Sequence, residues 1–260
     1  MASSENLELG TAQYFGRLAA TYGAGEDYRK RREAALAEIR RQLGEVDTIL
    51  DLGCGNGTYL MEFQKSIGPR HLVGADLSFE MLREARARSE ACPLVSCDAT
   101  LLPFRSESFR TIFCSHVLQF VGDLPRCIED IARCLLRGGT LVICGGEFGV
   151  RERLRMMIGD ERWAQFVKEL PRPRGAHIRR GLVEYERAAE TAGLRVDRRG
   201  AAFVGTWADL AEFYRVRWLP LVEASSRTSL TTVLEDLVAV RGGEQIDLAE
   251  SLLFCRKPAR

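Results

Sequence analysis

The sequence predicts an α/β fold: a mostly parallel sheet with helices on both faces, plus helical cap segments. Three observations predict it. First, Val46–Leu52 is a short apolar run that ends in a glycine turn and continues with Leu60, Phe63 and Ile67 at helical spacing. That is strand, tight turn and helix, the first half of a parallel crossover. Second, apolar runs and amphipathic segments keep alternating through residue 145. Third, Asp51, Asp76 and Asp98 each stand at the end of one of the first three runs. Open parallel sheets bind their ligands at that edge.

Composition narrows the class. With 260 residues the chain is long enough for one large domain with additions. A net charge of +1 gives no global pull toward nucleic acid or membrane. The polar start, Met-Ala-Ser-Ser-Glu-Asn, has no apolar signal core, and no apolar run reaches membrane-spanning length, so a cytoplasmic protein is expected. None of the eight cysteines forms C-x-x-C, and His71, His116 and His177 are scattered. The cysteines read as small buried hydrophobes, and no metal is expected.

The elements follow in order. Residues 10–43 read as helical, broken at Gly23 and Gly25, with a second helix from about Asp27 to Leu43. Arg29–Arg32 is a charge run of the kind that usually forms a solvated face. Tyr14, Phe15, Tyr22 and Tyr28 either pack these helices together or cover a ligand. The glycine turn, Asp51-Leu-Gly-Cys-Gly-Asn-Gly57, decides what kind of ligand. A dinucleotide fingerprint would need a third glycine at position 58, which is Thr58. Asp51 would repel a pyrophosphate and attract an ammonium group. The turn therefore suits a ligand with positive charge and no phosphates.

His71–Asp76 is the second strand. Asp76 at its end can accept two hydrogen bonds from a ribose diol, or cap the helix that begins near Ser78. Leu77 and Met81, just after it, would flank the ligand from this side. The third strand, Leu94–Cys97, leads to Asp98-Ala99. The fourth, Phe109–Ser115, leads to His116. A helix starts at Asp123, with Leu124, Ile128, Ile131 and Leu135 on its core face, and Gly138-Gly139 is expected to stop it. Thr140–Cys144 is strand five and Leu194–Val204 strand six. Thr206-Trp-Ala-Asp209 opens a helix with a capping box, a further helix spans about 228–240, and Ala249–Cys255 is the final strand.

These motifs, in this order over residues 46–145, resemble the class I S-adenosylmethionine-dependent methyltransferases, in particular the type 11 small-molecule group. The D-x-G-x-G-x-G turn resembles their motif I, Leu101-Leu-Pro-Phe104 their "lPf" turn, and Leu136-Arg-Gly-Gly-Thr-Leu-Val-Ile their fifth-strand approach. The resemblance implies a Rossmann-like seven-stranded sheet whose last strand is antiparallel and inserted between strands five and six. It implies S-adenosylmethionine as cofactor, with Asp51, Gly53, Cys54 and Gly55 in motif I, Asp98 and Ala99 at the adenine, Ser115 among the cofactor-binding residues, and Tyr14 and Tyr22 in a closing N-terminal segment. The product would be S-adenosylhomocysteine. His116 is the best placed candidate for a general base, or only a cofactor neighbour whose matching family position serves the cofactor through its backbone; His177 is a poorer candidate, and Glu147 and Tyr14 are other substrate-facing candidates.

The expected organisation is an N-terminal helical lid (1–44), a core (45–146 and 181–260), a cap insertion (147–180) and a second cap within the core (206–244). The expected reaction is methyl transfer to a small-molecule acceptor at O, N or C. The alternatives are an RNA or protein methyltransferase, for which a basic excess in 151–180 speaks, and a cofactor-binding protein that transfers no methyl.

Overall fold

The computed structural model describes residues 10–147, 155, 158–169, 181–218 and 224–259. The chain forms helices α1 (Thr11–Gly16) and α2 (Glu26–Leu43), then β1 (Thr48–Leu52), α3 (Thr58–Ser66), β2 (His71–Asp76), α4 (Phe79–Arg88) and β3 (Leu94–Ser96). It continues with β4 (Phe109–Ser115), α5 (Leu124–Cys134), β5 (Leu135–Glu147), α6 (Asp160–Glu169), α7 (Leu182–Thr191) and β6 (Arg195–Thr206). The last elements are α8 (Trp207–Trp218), α9 (Ala224–Arg241) and β7 (Gln245–Arg256).

The seven strands form one sheet in the order β3-β2-β1-β4-β5-β7-β6. β1 to β5 pair in parallel, and β7 runs antiparallel between β5 and β6. The order reverses direction between β1 and β4, which opens a crevice at the ends of these strands.

Successive strand residues point to opposite faces. Leu50, Ile112, Leu141 and Leu253 are buried on one face, under α5 and α7. Their neighbours Ile49, Phe113, Val142 and Phe254 are buried on the other, under α2, α3 and α4. The N-terminal segment thus splits in two. Ala35, Leu36 and Ile39 of α2 belong to the core, whereas residues 11–22 lie over the crevice.

Helix starts are set by local side chains. Met81 donates its N–H to Ser78 Oγ at the start of α4. Arg126 donates its N–H to Asp123 Oδ1 at the start of α5. At α8 the capping box is reciprocal: Asp209 N–H to Thr206 Oγ1, 3.1 Å, and Thr206 N–H to Asp209 Oδ2, 2.9 Å.

Three boundaries differ from expectation. α5 ends at Cys134, and Leu135 already pairs with Phe109 in the sheet. Gly138-Gly139 therefore does not stop a helix; it lies where the β4–β5 register shifts. A Cβ on Gly139 would stand 2.8 Å from Leu136 O. β6 and β7 are longer than their apolar cores, because twelve residues of each pair in register from Arg195↔Arg256 to Thr206↔Gln245. Backbone pairing carries the hairpin past the point where side-chain periodicity stops marking it.

α8 and α9 cross the far end of that hairpin. Trp207, Leu210, Tyr214, Leu234 and Leu237 pack with Ile246 and Leu248, with Tyr28 and Trp163 against them. None of the described residues of these helices lines the crevice. Apart from Glu147 at the end of β5, Arg155, Ile158 and the residues that lead through α6, the expected insertion 147–180 lies outside the described residues.

Candidate functional site

The crevice holds a cavity of about 330 Å³. The sequence builds its floor from the glycine turn. Gly53 has φ +73°, and a Cβ there would stand 2.1 Å from Val117 Cγ2. Only glycine fits both the left-handed backbone and that contact. The Gly53 and Cys54 N–H groups donate to Ala75 O, at 2.7 and 3.0 Å. Gly55 donates its N–H to Asp76 Oδ2 at 2.8 Å, and Ser78 donates its N–H to Asp76 Oδ1 at 2.8 Å. Asp76 is thus both the carboxylate at the end of β2 and an anchor for the turn. Burial pushes its carboxyl up, against the pull of the Ser78, Gly55 and Leu77 amides.

Tyr22, Gly53, Gly55, Asp76, Leu77 and Met81 line the cavity, as do Asp98, Ala99, Ser115 and His116. Both the N–H and the hydroxyl of Thr100 donate to Asp98 Oδ1 at 2.7 Å. Three sequence candidates stand behind the wall. Tyr14 is 1% exposed and packs edge-on against Phe15, which reaches the cavity in its place and meets Phe120 at 4.9 Å. Cys54 is buried, its thiol donating to Gly55 O. Asp51 is 1% exposed, and its Oδ2 has no hydrogen-bond partner. Burial, then the charge of Asp76, pushes the Asp51 carboxyl well above the usual carboxylate range.

Asn56, which the sequence reading passed over, fastens the N-terminal segment onto the turn. Its Nδ2 donates to Ala19 O at 2.9 Å and Tyr22 O at 2.8 Å. A second omission lies on the other side of the cavity. His116 has φ +54°, a left-handed conformation that costs a residue other than glycine on the order of 1–3 kcal/mol. Its N–H donates to Cys144 O, and its Nε2 stands 2.9 Å from Glu250 Oε1. Arg31 donates to Glu250 Oε2 at 3.0 Å and to Asp27 Oδ2 at 3.1 Å. Arg31 thus departs from the solvated face expected of its charge run. Two signals could have found this cluster: the i, i+4 spacing of Asp27 and Arg31, and a glutamate inside an apolar strand. His71 lies outside the cavity lining; His177 and the Glu147 side chain lie outside the described residues.

The charge of the lining is one-sided. Asp76, Asp98 and Asp123 line the cavity and Asp51 lies beneath it, while no lysine or arginine is among the described lining residues. Such a cavity fits a cation and repels phosphate. Its orphaned Asp51 oxygen, paired Asp76 carboxylate and apolar flanks Leu77 and Met81 suit a ligand with a positive end, a diol and an aromatic ring.

A parallel sheet with one antiparallel strand in sixth place, and an acidic crevice at its β1–β4 reversal, define a class I methyltransferase architecture. Residues 50–143 match the family model described as a methyltransferase domain. Over those residues the chain is similar to methyltransferase domains. A demethylmenaquinone methyltransferase of Mycobacterium sp. is 38% identical over 120 residues, covering 46% of this chain and 49% of the relative. A malonyl-[acyl-carrier protein] O-methyltransferase of Legionella pneumophila is 34% identical over 97 residues, 36% of this chain and 34% of the relative. The chain thus spans half or less of the length of these curated relatives. The crystal structure of Haemonchus contortus phosphoethanolamine N-methyltransferase 2 with S-adenosylmethionine superposes with a TM-score of 0.56 at 20% identity, over 87% of this chain and 52% of that one. That likeness speaks to the fold.

Proposed function

We propose that the protein transfers a methyl group from S-adenosylmethionine to a small-molecule acceptor. The observation that carries this reading is the cavity with three carboxylates in its wall, a fourth beneath it and no cationic side chain among its described lining residues. A sulfonium cofactor supplies an activated methyl carbon. Asp76 would take the ribose diol while keeping the Gly55 and Ser78 amides. The free oxygen of Asp98 would face the adenine amino group, and Leu77 and Met81 would hold the ring. Gly53, Gly55 and Ser115 would meet the cofactor through backbone, and Tyr22 and Phe15 would cover it. Asp51 would support the cationic end through the turn.

The acceptor would enter beside Phe15, Phe120, Val117 and His116. This apolar and aromatic rim suits a small ring better than a polymer. It also gives a phosphate group no counter-charge among the described residues. Positioning and exclusion of water would then supply much of the rate.

Two measurements test the reading. Calorimetry should show S-adenosylhomocysteine binding that Asp76→Ala abolishes or greatly weakens. Incubation with methyl-labelled cofactor and a panel of quinols, phenols and amines should move label to a small acceptor. Binding with no transfer to any acceptor would favour a non-methylating role on the same scaffold, and label on RNA or protein would favour a macromolecular substrate.

A further inference from the structure

His116 and Glu250 meet at the cavity wall. Glu250 is 1% exposed, and both its oxygens are assigned: Oε2 accepts from Arg31, and Oε1 stands 2.9 Å from His116 Nε2. Oε1 has no hydrogen-bond partner among the described residues, and His116 Nε2 is the group that stands against it. A buried carboxylate oxygen left for an imidazole is costly unless the imidazole can put an N–H on it. With the proton of the neutral ring on Nε2, Nδ1 is the remaining acceptor atom. The strained backbone of His116 and its N–H bond to Cys144 O fix where the ring is carried. Arg31 fixes the carboxylate from behind, and Asp27 fixes Arg31. The chain is proton acceptor, carboxylate, guanidinium and carboxylate, running from the cavity into the core.

We propose that Glu250 is a positioning residue: it holds His116 with Nε2–H on its carboxylate, so that Nδ1 can take a proton from a substrate hydroxyl. This rests on the methyl-transfer reading and adds a substrate class to it, an acceptor whose reacting oxygen carries an acidic proton, such as a phenol or enol. In the balanced step the hydroxyl proton goes to Nδ1 and the oxygen forms its bond to the methyl carbon. The carbon–sulfur electron pair stays on sulfur. The imidazolium that results faces the Glu250 carboxylate, which stabilises it.

The test needs neither cofactor nor acceptor, so its failure is distinct from failure of the methyl-transfer reading. The chain has three histidines, and His116→Asn assigns the His116 ring signals in ¹⁵N-histidine NMR. The groups around the pair are Asp27 and Arg31 from α2, Tyr59 from α3, Cys144 from β5, and Asp76, Asp98 and Asp123 along the cavity. In the wild type, the neutral ring should carry its proton on Nε2. In Glu250→Leu, which offers the ring no acceptor, the single Nε2–H form should give way to a mixture of the two tautomers, and Glu250→Gln, whose carbonyl oxygen can still accept, should keep Nε2–H. A proton found on Nδ1 in the wild type would overturn the proposal without any variant. So would an unchanged tautomer in folded Glu250→Leu. If Glu250→Leu does not fold, the wild-type tautomer decides.

Discussion

Gly55 donates its backbone N–H to Asp76 Oδ2 at 2.8 Å, so the turn after β1 and the end of β2 are one hydrogen-bonded unit. Removing the Asp76 carboxylate takes away this bond and the one from Ser78 together with any contact to a ribose. Hydrogen bonds to a charged group are worth about 1.5–3 kcal/mol each. Asp76→Ala should therefore weaken cofactor binding by about 100-fold or more, with a lower melting temperature. Calorimetry with S-adenosylhomocysteine checks the first, and a thermal melt the second. Unchanged affinity would remove Asp76 from the site.

Asp51→Asn should separate stability from binding. The folded-state carboxyl is raised by burial, then by Asp76. A raised carboxyl contributes fully below its unfolded value, near 3.8, and that contribution is lost as pH rises toward the folded value. The variant should match the wild type near pH 3.5 and exceed it increasingly above that. At neutral pH a gain of about 1 kcal/mol would raise Tm by about 2–4 °C. Cofactor affinity should fall, since the asparagine no longer attracts a cation. Parallel melts with and without cofactor read both effects.

Two glycines with similar φ should respond unequally to alanine. Gly53 (φ +73°) faces Val117 Cγ2 at 2.1 Å from a built Cβ, whereas Gly44 (φ +63°) has open space. Gly44→Ala should cost only the backbone preference, about 1–3 kcal/mol. Gly53→Ala adds overpacking of typically 1–3 kcal/mol and pushes Val117 into the cavity. Urea denaturation ranks the two, and only Gly53→Ala should also reduce cofactor binding.

The Arg31 cluster should govern the acid limb. Burial pushes Glu250 up, but His116 and Arg31 outweigh it and hold the carboxyl below its usual range. A lowered carboxyl contributes stability that is present above the unfolded value, near 4.5, and is lost as pH falls through the folded value. The wild type should lose stability below about pH 4.5, and Glu250→Gln should lose it less steeply, by up to about 1.4 kcal/mol per pH unit. Arg31→Met, which leaves Asp27 and Glu250 buried without their shared cation, should cost about 3–5 kcal/mol at pH 7. Equilibrium unfolding at a series of pH values measures both.

The cofactor side of the cavity was legible in sequence because it is local. Asp51, Gly53, Gly55 and Asp76 lie within one strand–turn–helix–strand unit, where spacing and turn chemistry are specific. Tyr14 and Phe15 show the limit: both are aromatic and adjacent, and only packing decides which of two helical directions meets the cavity. Glu250 was hidden for another reason. Its strand is read from its apolar neighbours, and nothing local says that a distant arginine makes its burial tolerable. Arg31 was hidden in the same way by its exposed neighbours. The Thr206–Asp209 cap was read correctly because both partners sit three residues apart.

The Arg31–Glu250 contact joins residues 219 positions apart, and it differs in kind from the short-range bonds of the glycine turn. The two walls of the cavity therefore rest on contacts of very different sequence separation. The Gly55–Asp76 part of the cofactor wall needs only β1, β2 and their connecting helix. The His116 wall is complete only when β7 has slotted between β5 and β6 and brought Glu250 to α2. Contacts of such long separation form late in folding and slowly. A partly refolded population should recover cofactor binding before it recovers the His116 environment, and a nascent chain would hold half a pocket until its β7 strand had docked.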